Sequence, residues 1–323
     1  MSNFILISEL DDIVEKINQE ALISPQICLV RGKSTPIYYQ KFTGLQKFNI
    51  VKEIIHHGNP VHYFNKDKIH CDILLAIGGG SVIDSAKLML YHGEIVFNNK
   101  QNFIVIPTTC GSGSESTSFA VEYIGNNKFS RKAKKLLPST VIQDPSAVSS
   151  KINPSFIDAV CQSIESYFSV KSTRKSRKTS EAAFKLLVKS VDFDSMIISN
   201  RQNAILGSSM SGKAINVAKT NAAHAFSYYL TLKHNVPHGL AVLSSEIFFV
   251  KNVLKNFNKK DAFLLESLPI LEKLKSIIDW SLYCPAISVN YISAVNKERI
   301  MNYPFKFSNE KLINHVKGTF GII

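Results

Sequence analysis

One segment restricts this chain more than any other: DILLAIGGGS (72–81) followed by VIDSAKLML (82–90). An apolar run ends in three consecutive glycines and passes directly into helix-spaced apolar residues. That is a strand, a tight turn and a helix in succession. ICLVRG (27–32) repeats the apolar run with a terminal glycine, and FIVIPTT (103–109) reads as a further buried strand stopped by proline and polar residues. Strands that alternate with helices and carry glycine at their carboxyl ends predict a parallel, doubly wound sheet, here an α/β domain over residues 1–147.

The pattern changes after Asp144-Pro145. Helical periodicity runs through 154–170, 179–197, 201–218, 220–232, 238–255 and 261–280, and Asn153-Pro154 reads as a cap with proline in the first turn. A second, all-helical domain is expected over residues 148–323, in a chain of 323 residues that is long enough to bury two cores. Apolar residues at 45% and charged residues at 20% exclude global disorder. No apolar run approaches the roughly 18 residues of a spanning helix. The amino terminus has no basic leader, and the five cysteines form no CxxC pair, so a cytoplasmic protein without a membrane partner is expected. The net charge of +13 concentrates at Lys128, Arg131, Lys132, Lys134 and Lys135 and again from Lys171 to Lys178. Neither cluster is interleaved with stacking aromatics and no nucleic-acid motif is present, so no nucleic-acid partner is expected. Solvated surface and an electrostatic funnel for a small anionic substrate both stand as readings.

Gly78-Gly79-Gly80-Ser81 lies where backbone N–H groups and a helix N-terminus can meet a pyrophosphate, although a tight turn alone would also use glycine. A second loop, Pro107 to Glu115, follows the strand at 103–109; two such loops at neighbouring strand ends make a dinucleotide crevice. AIGGGSVIDSAK (76–87), IPTTCGSGSE (106–115), LLPSTVIQDP (136–145), VPHGLAV (236–242) and VNKERIMNYPFKFSNE (295–310) together resemble the iron-containing alcohol dehydrogenase family, in order and spacing, over most of the chain. The resemblance implies the dehydroquinate synthase-like fold, a pyrophosphate held by Gly78, Gly79, Gly80 and Ser81, and an adenosine and ribose side lined by Thr108 and Thr109. Gly32, Asp84 and Ser112 complete the expected cofactor set. Many NAD-preferring members resemble V-T-D-K after the first strand, where this chain has Val30-Arg31-Gly32-Lys33-Ser34. Loss of the carboxylate among basic residues favours NADP(H) over NAD(H); the alternative is an ordinary exposed basic turn.

Asp158 and Gln162 are four residues apart and share a helix face. His224 and His238 are fourteen apart; on one straight helix they would stand roughly 21 Å apart at about 1.5 Å per residue. Pro237 breaks that helix and lets the chain fold back, giving a two-His-one-carboxylate set with open positions for substrate. A histidine in an apolar segment is ordinarily a core residue. The resemblance points the other way: DAVCQSIESYFS (158–169) looks like the family's metal-binding helix and AAHAFSYYLTLKHNVPHG (222–239) like its two-histidine segment. It implies one divalent metal, Fe2+ or Zn2+, on Asp158, Gln162, His224 and His238, with His224, His238 and Tyr228 in catalysis.

Two departures mark the chain. The family generally has His at the position of Gln162, and many members place a second active-site His at Tyr228. Both departures, with GKAINVAKTNAAHAFSY (212–228), are similar to the phosphonoacetaldehyde reductase subgroup, which reduces phosphonoacetaldehyde to 2-hydroxyethylphosphonate. The expected activity is therefore interconversion of an aldehyde and a primary alcohol, with a small anionic substrate held by Lys213 and Lys219 and with Tyr228 relaying a proton, in a homodimer. A solvated helix face is the other reading of the two lysines. Dehydroquinate synthases and glycerol dehydrogenases share the architecture and remain alternatives. So does a non-catalytic binding protein, since 56–72 is a helix shorter than in relatives and Phe156-Ile157 precedes Asp158 where relatives often have glycine.

Overall fold

The apolar runs become strands of one parallel sheet in the computed structural model of the chain, which describes residues 2–6, 25–33, 49–58, 67–125, 127–257 and 261–322. In chain order the strands are β1 (Asn3–Leu6), β2 (Gln26–Gly32), β3 (Asn49–His56), β4 (Ile69–Cys71), β5 (Ile73–Gly78), β6 (Ile95–Phe97), β7 (Phe103–Pro107), β8 (Phe119–Ile124), β9 (Asn127–Lys132) and β10 (Thr140–Gln143). Six of them line up as β1-β10-β7-β5-β2-β3, each pair parallel. β5 and β7 are buried along their whole length. Alternate residues serve opposite faces: Cys28, Val30, Leu74, Ala76 and Val105 pack on one side, and Leu29, Leu75, Ile77, Ile104 and Ile106 on the other.

The chain steps outward from β2 to β3, returns to β5, and then moves the other way through β7 and β10. Strand order therefore reverses between β2 and β5, and the crevice beyond their carboxyl ends is where open α/β sheets take ligands. Gly32 and Gly78 close those two strands. Helix α1 (Gly80–His92) follows at once, and Gly93 ends it in the left-handed conformation that glycine adopts without strain.

The helical half comprises α2 (Pro154–Phe168), α3 (Arg174–Lys189), α4 (Arg201–Ala218), α5 (Ala222–His234), α6 (His238–Asn256) and α7 (Ala262–Ser276), with shorter turns after them. α2 is the hub, its middle buried from Phe156 to Ser166, and it packs on α3, α4 and α6. Phe156 and Ile157, read as a departure in the sequence, are core side chains. Asn235 at φ 53° caps α5, and the extended Val236-Pro237 turns the chain before His238 opens α6, which is the break the proline predicts.

Two segments depart from expectation. Helix is expected across 179–197, but α3 stops at Lys189, and β11 (Val191–Asp192) pairs antiparallel with β12 (Ile197–Ile198). The Asp192 carboxylate accepts from the Asp194 amide at 3.0 Å and the Ser195 hydroxyl at 2.6 Å, a local turn that competes with helix. The helical half thus carries one small ribbon. The hairpin β8–β9 is also absent from the sequence reading: β8 is a short apolar run, but its partner β9 (NKFSRK) is polar and mostly exposed and carries little strand signal. It places the basic cluster that begins at Lys128 against the helical half. Among the described residues no helix is long and apolar enough to cross a membrane.

Close approaches join the halves. A Cβ on Gly111 would stand 2.5 Å from the Ser155 Cβ, and one on Gly212 would stand 2.4 Å from the Gly113 carbonyl oxygen. A Cβ on Gly239 would lie 1.8 Å from the Pro154 carbonyl oxygen and 3.0 Å from the Asp158 nitrogen. Gly239 therefore seats the start of α6, with His238, on the start of α2, with Asp158. Gly239→Ala should lower stability by about 1–3 kcal/mol through overpacking against backbone. Urea denaturation measures this, and an unchanged midpoint would mean that the two helix starts part freely.

Candidate functional site

Three helices bring their N-terminal portions together. Asp158 from α2, His224 from α5 and His238 from α6 offer ligand atoms that all lie within 4.8 Å of one another. Asp158 and His224 are buried, and His238 is half-buried. His224 presents Nε2 to the Asp158 Oδ1 at 3.0 Å, and its ring meets that of His238 edge-on with centroids 5.4 Å apart. The His238 Nδ1 stands 3.4 Å from the Ser227 hydroxyl.

Glu165, two turns along α2 from Asp158, fixes His224 from behind. Its Oε2 takes the His224 Nδ1 and the Asn221 amide at 3.2 Å. Its Oε1 accepts from the amides of Ala223 at 2.7 Å and His224 at 3.3 Å. A carboxylate that accepts Nδ1–H sets the tautomer and leaves Nε2 for a metal. Burial disfavours charge on His224, but Glu165 and Asp158 outweigh it and raise its pKa to about 9. Burial, followed by Lys128, pushes the pKa of His238 well below its ordinary value. Burial also opposes ionisation of Asp158, yet His238, His224 and Lys128 prevail and hold its carboxyl below the usual range.

Gln162 is buried one turn beyond Asp158. Its amide nitrogen donates to the Asp158 Oδ2 at 2.9 Å, and its oxygen accepts from the Ser211 hydroxyl at 3.1 Å. In this arrangement Gln162 supports Asp158, and its acceptor oxygen is already engaged. Tyr228 lies in an outer wall, where its hydroxyl accepts from the Arg299 Nε at 2.9 Å and Lys128 stands 4.5 Å above its ring. Burial opposes ionisation of this phenol, but Arg299 and Lys128 outweigh it and hold the pKa below the ordinary tyrosine range.

The crevice side is built by interlocked loops. A Cβ on Gly79 would stand 3.1 Å from the Thr109 Oγ1, and one on Gly80 would stand 2.2 Å from the Ser112 Oγ. The glycines let the two loops touch, and Thr108 donates its amide to the Gly78 carbonyl at 3.1 Å. No side chain caps α1, so its first N–H groups face the crevice end beside the half-buried Ser81. Asp84 is placed differently from expectation. One oxygen takes the Ser114 hydroxyl and the other the Val121 amide at 2.9 Å, tying α1 to the hairpin. Lys87, fully buried, donates to the carbonyls of Ser114, Thr117 and Phe119 and holds the same loop. Arg31 pairs with Glu53 of β3 at 2.5 Å, so its Nε is not free for a 2′-phosphate. Lys33 is exposed, and Ser34 lies outside the described residues.

A cavity of about 90 Å³ joins the two sides, with Asp84, Ser112 and Ser114 on one wall and Asp158, His224 and His238 on the other. Lys219 reaches this wall but Lys213 does not; its Nζ sits 3.5 Å above the Phe4 ring of β1. Glu165 and Arg299 escape the sequence reading, and Lys128 enters it only as part of a basic cluster. Glu165 carried a usable signal, a carboxylate seven residues after Asp158 on a nearly apolar helix face. Lys128 and Arg299 are distant in sequence and only the hairpin and the C-terminal turn bring them in.

The sequence model described as iron-containing alcohol dehydrogenase matches residues 61–145, and that described as the C-terminal part of the Fe-containing alcohol dehydrogenase family matches residues 154–262. The 4-hydroxybutyrate dehydrogenase of Clostridium kluyveri is 29% identical over 219 residues, 58% of this chain and 55% of that protein. The phosphonoacetaldehyde reductase of Streptomyces viridochromogenes is 28% identical over 201 residues, 54% of this chain and 51% of its own length. The chain thus spans about half the length of the curated relatives it matches. In fold it is similar to a crystal structure of an iron-containing alcohol dehydrogenase (TM-score 0.79, 22% identity, covering 100% of this chain and 98% of that one). The iron-containing alcohol dehydrogenase of Thermotoga maritima superposes with a TM-score of 0.75 at 22% identity, covering 99% and 98% of the two chains. With the family's two sequence models matched in order across the sheet and the helices, the chain belongs to the iron-containing alcohol dehydrogenase family.

Proposed function

We propose that the chain is a metal-dependent NAD(P)H oxidoreductase that interconverts an aldehyde and a primary alcohol. The observation that carries this reading is the convergence of Asp158, His224 and His238, with the second nitrogen of His224 bound to Glu165. The donor set suits a borderline cation: two imidazoles and one carboxylate, with Asp158 and His224 buried and His238 half-buried. Fe2+ or Zn2+ held there supplies Lewis acidity to a carbonyl oxygen. A nicotinamide cofactor in the crevice beyond Gly32 and Gly78 supplies the hydride.

The chain's own residues orient and enclose. Asp158, His224 and His238 hold the metal, Glu165 locks His224, and Gln162 steadies Asp158. The N-terminus of α1 at Gly80 and Ser81 receives the pyrophosphate, with Thr108, Thr109 and Ser112 beside it. Tyr228 positions Arg299 in the outer wall, since its hydroxyl is the acceptor of that contact. With Arg31 paired to Glu53, basic character near the ribose rests on Lys33, and both NAD(H) and NADP(H) remain candidates. Relatives named for 4-hydroxybutyrate and for phosphonoacetaldehyde, together with the basic outer wall, support a small anionic aldehyde; phosphonoacetaldehyde, giving 2-hydroxyethylphosphonate, is the substrate to try first. Free cysteines, four of them buried, suit a cytoplasmic setting.

Anaerobic loading with ferrous iron, or loading with zinc, should give about one ion per chain. The loaded protein should oxidise NADPH or NADH when an aldehyde is added. Stoichiometric metal without turnover of any aldehyde would overturn the oxidoreductase reading. Glu165→Gln, which puts an N–H donor among N–H donors, should weaken zinc binding by about 10–100-fold. Competition with a chromophoric chelator measures it; unchanged affinity with the near-UV spectrum retained would reduce Glu165 to a cap of α5.

A further inference from the structure

Beside the cavity at the Asp158, His224 and His238 cluster, and sharing Phe119, Lys128, Lys219, Thr220 and Arg299 with it, lies an outer chamber of about 410 Å³. Lys128, Lys132, Lys171, Lys219 and Arg299 line this chamber, and the only carboxylate in its wall among the described residues is Glu298. None of the five cations forms an ion pair among the described residues, whereas Arg131, on the same wall, is neutralised by Glu122 at 2.5 Å. Cations normally reach such density only with counter-charges, because like charges in a partly dry cavity repel.

Three of these groups line both chambers: Lys128 from β9, Lys219 from the end of α4, and Arg299 from the short C-terminal helix Lys297–Ile300. Each is held in place. Arg299 donates Nε to the Tyr228 hydroxyl and Nη1 to the Thr220 hydroxyl. Lys128 lies over the Tyr228 ring. Lys219 has φ 63° and ψ 169°, a backbone conformation that costs a non-glycine residue about 1–3 kcal/mol. The surroundings enforce it: the Asn302 amide donates to the Ala218 carbonyl at 2.8 Å and the Thr220 carbonyl at 3.0 Å, and the Ser169 hydroxyl donates to the Lys219 carbonyl at 3.1 Å. The Lys219 Nζ then stands 4.1 Å over the Phe119 ring. Burial, with Lys132 and Arg299 adding repulsion, brings its pKa down to about 8, which an arriving anion would reverse.

We propose that Lys128, Lys219 and Arg299 form an anion subsite for a doubly charged tetrahedral head, a phosphonate or phosphate ester, on the substrate whose carbonyl end lies at Asp158, His224 and His238. This rests on the oxidoreductase reading for the carbonyl end only. Three cations from three separate elements, none of them in an ion pair among the described residues, exceed what one carboxylate would neutralise, and they match the three oxygens of a tetrahedral dianion. Lys213 has no part in it.

Calorimetry of the metal-loaded protein with methylphosphonate, methyl phosphate and acetate tests the subsite directly. One of the two dianions should bind at least about tenfold more tightly than acetate. Whichever leads assigns the head group as phosphonate or phosphate ester. Lys219→Met and Lys128→Met, on different elements, should each weaken that dianion at least about tenfold and lower the kcat/KM ratio of phosphonoacetaldehyde over propanal by a similar factor. Acetate binding as tightly as the dianions, or dianion affinity unmoved in both variants, would overturn the subsite. Lysine-dependent dianion binding without turnover of any aldehyde would keep the subsite and overturn the oxidoreductase reading. Turnover with no preference for the anionic aldehyde would do the reverse.

Discussion

The line Glu165–His224–Asp158 joins two carboxylates through one imidazole in a region nearly closed to water. Charges in such a place are costly to leave alone; removing one partner of a buried pair typically costs about 3–5 kcal/mol. Glu165 is tolerated because the three amides at the start of α5 and the His224 ring together satisfy both its oxygens. The same contacts pin α5 to α2, so the position of His224 is a consequence of how the acid is satisfied. α6 arrives by a different device, the bare Cα of Gly239 against Pro154, and brings His238 to the same point. Three side chains from three helices are thus brought together by one electrostatic constraint and one steric constraint.

The sheet side depends on that arrangement through the glycine contacts. Gly111 rests on α2 and Gly113 crosses Gly212 of α4, so the loop after β7 is fixed relative to the helices that carry Asp158, His224 and His238. Asp84 and Lys87 then hold the next turn and the hairpin to α1. A cavity bounded by these parts has one wall at the crevice and one at the histidines, so groups held at the two walls would meet across it. Lys128, Arg131, Lys132 and Lys171 of the two basic clusters, for which the sequence leaves both a solvated surface and an anion funnel open, border the outer chamber.

Local patterns were legible in the sequence and long-range placements were not. Strand, glycine turn and helix at 73–92, the parallel sheet, and α4 over residues 201–218 follow from periodicity and turn chemistry alone. The Pro237 break rightly brought His224 and His238 together. Gln162 lies beside Asp158 and Asp84 on the helix after the glycine turn, but their hydrogen bonds depend on Ser211, Ser114 and Val121, which no spacing rule connects to them. Lys213 and Lys219 look equivalent in sequence; one extra turn and a helix end send the first to Phe4 and the second into the cavity. Hairpin β8–β9 leaves little trace because its second strand, NKFSRK, is polar and mostly exposed, so the sequence shows Lys128 as part of a basic cluster and not its place beside the histidines.

Anomalous diffraction at the metal edge, from crystals of the protein grown with Fe2+ or Zn2+, addresses the central claim most directly. The account predicts one strong peak at about 2.0–2.2 Å from a carboxylate oxygen of Asp158 and a ring nitrogen each of His224 and His238, with the Glu165 contact to His224 intact. A peak elsewhere, or none at that point in crystals that contain the metal, would contradict it.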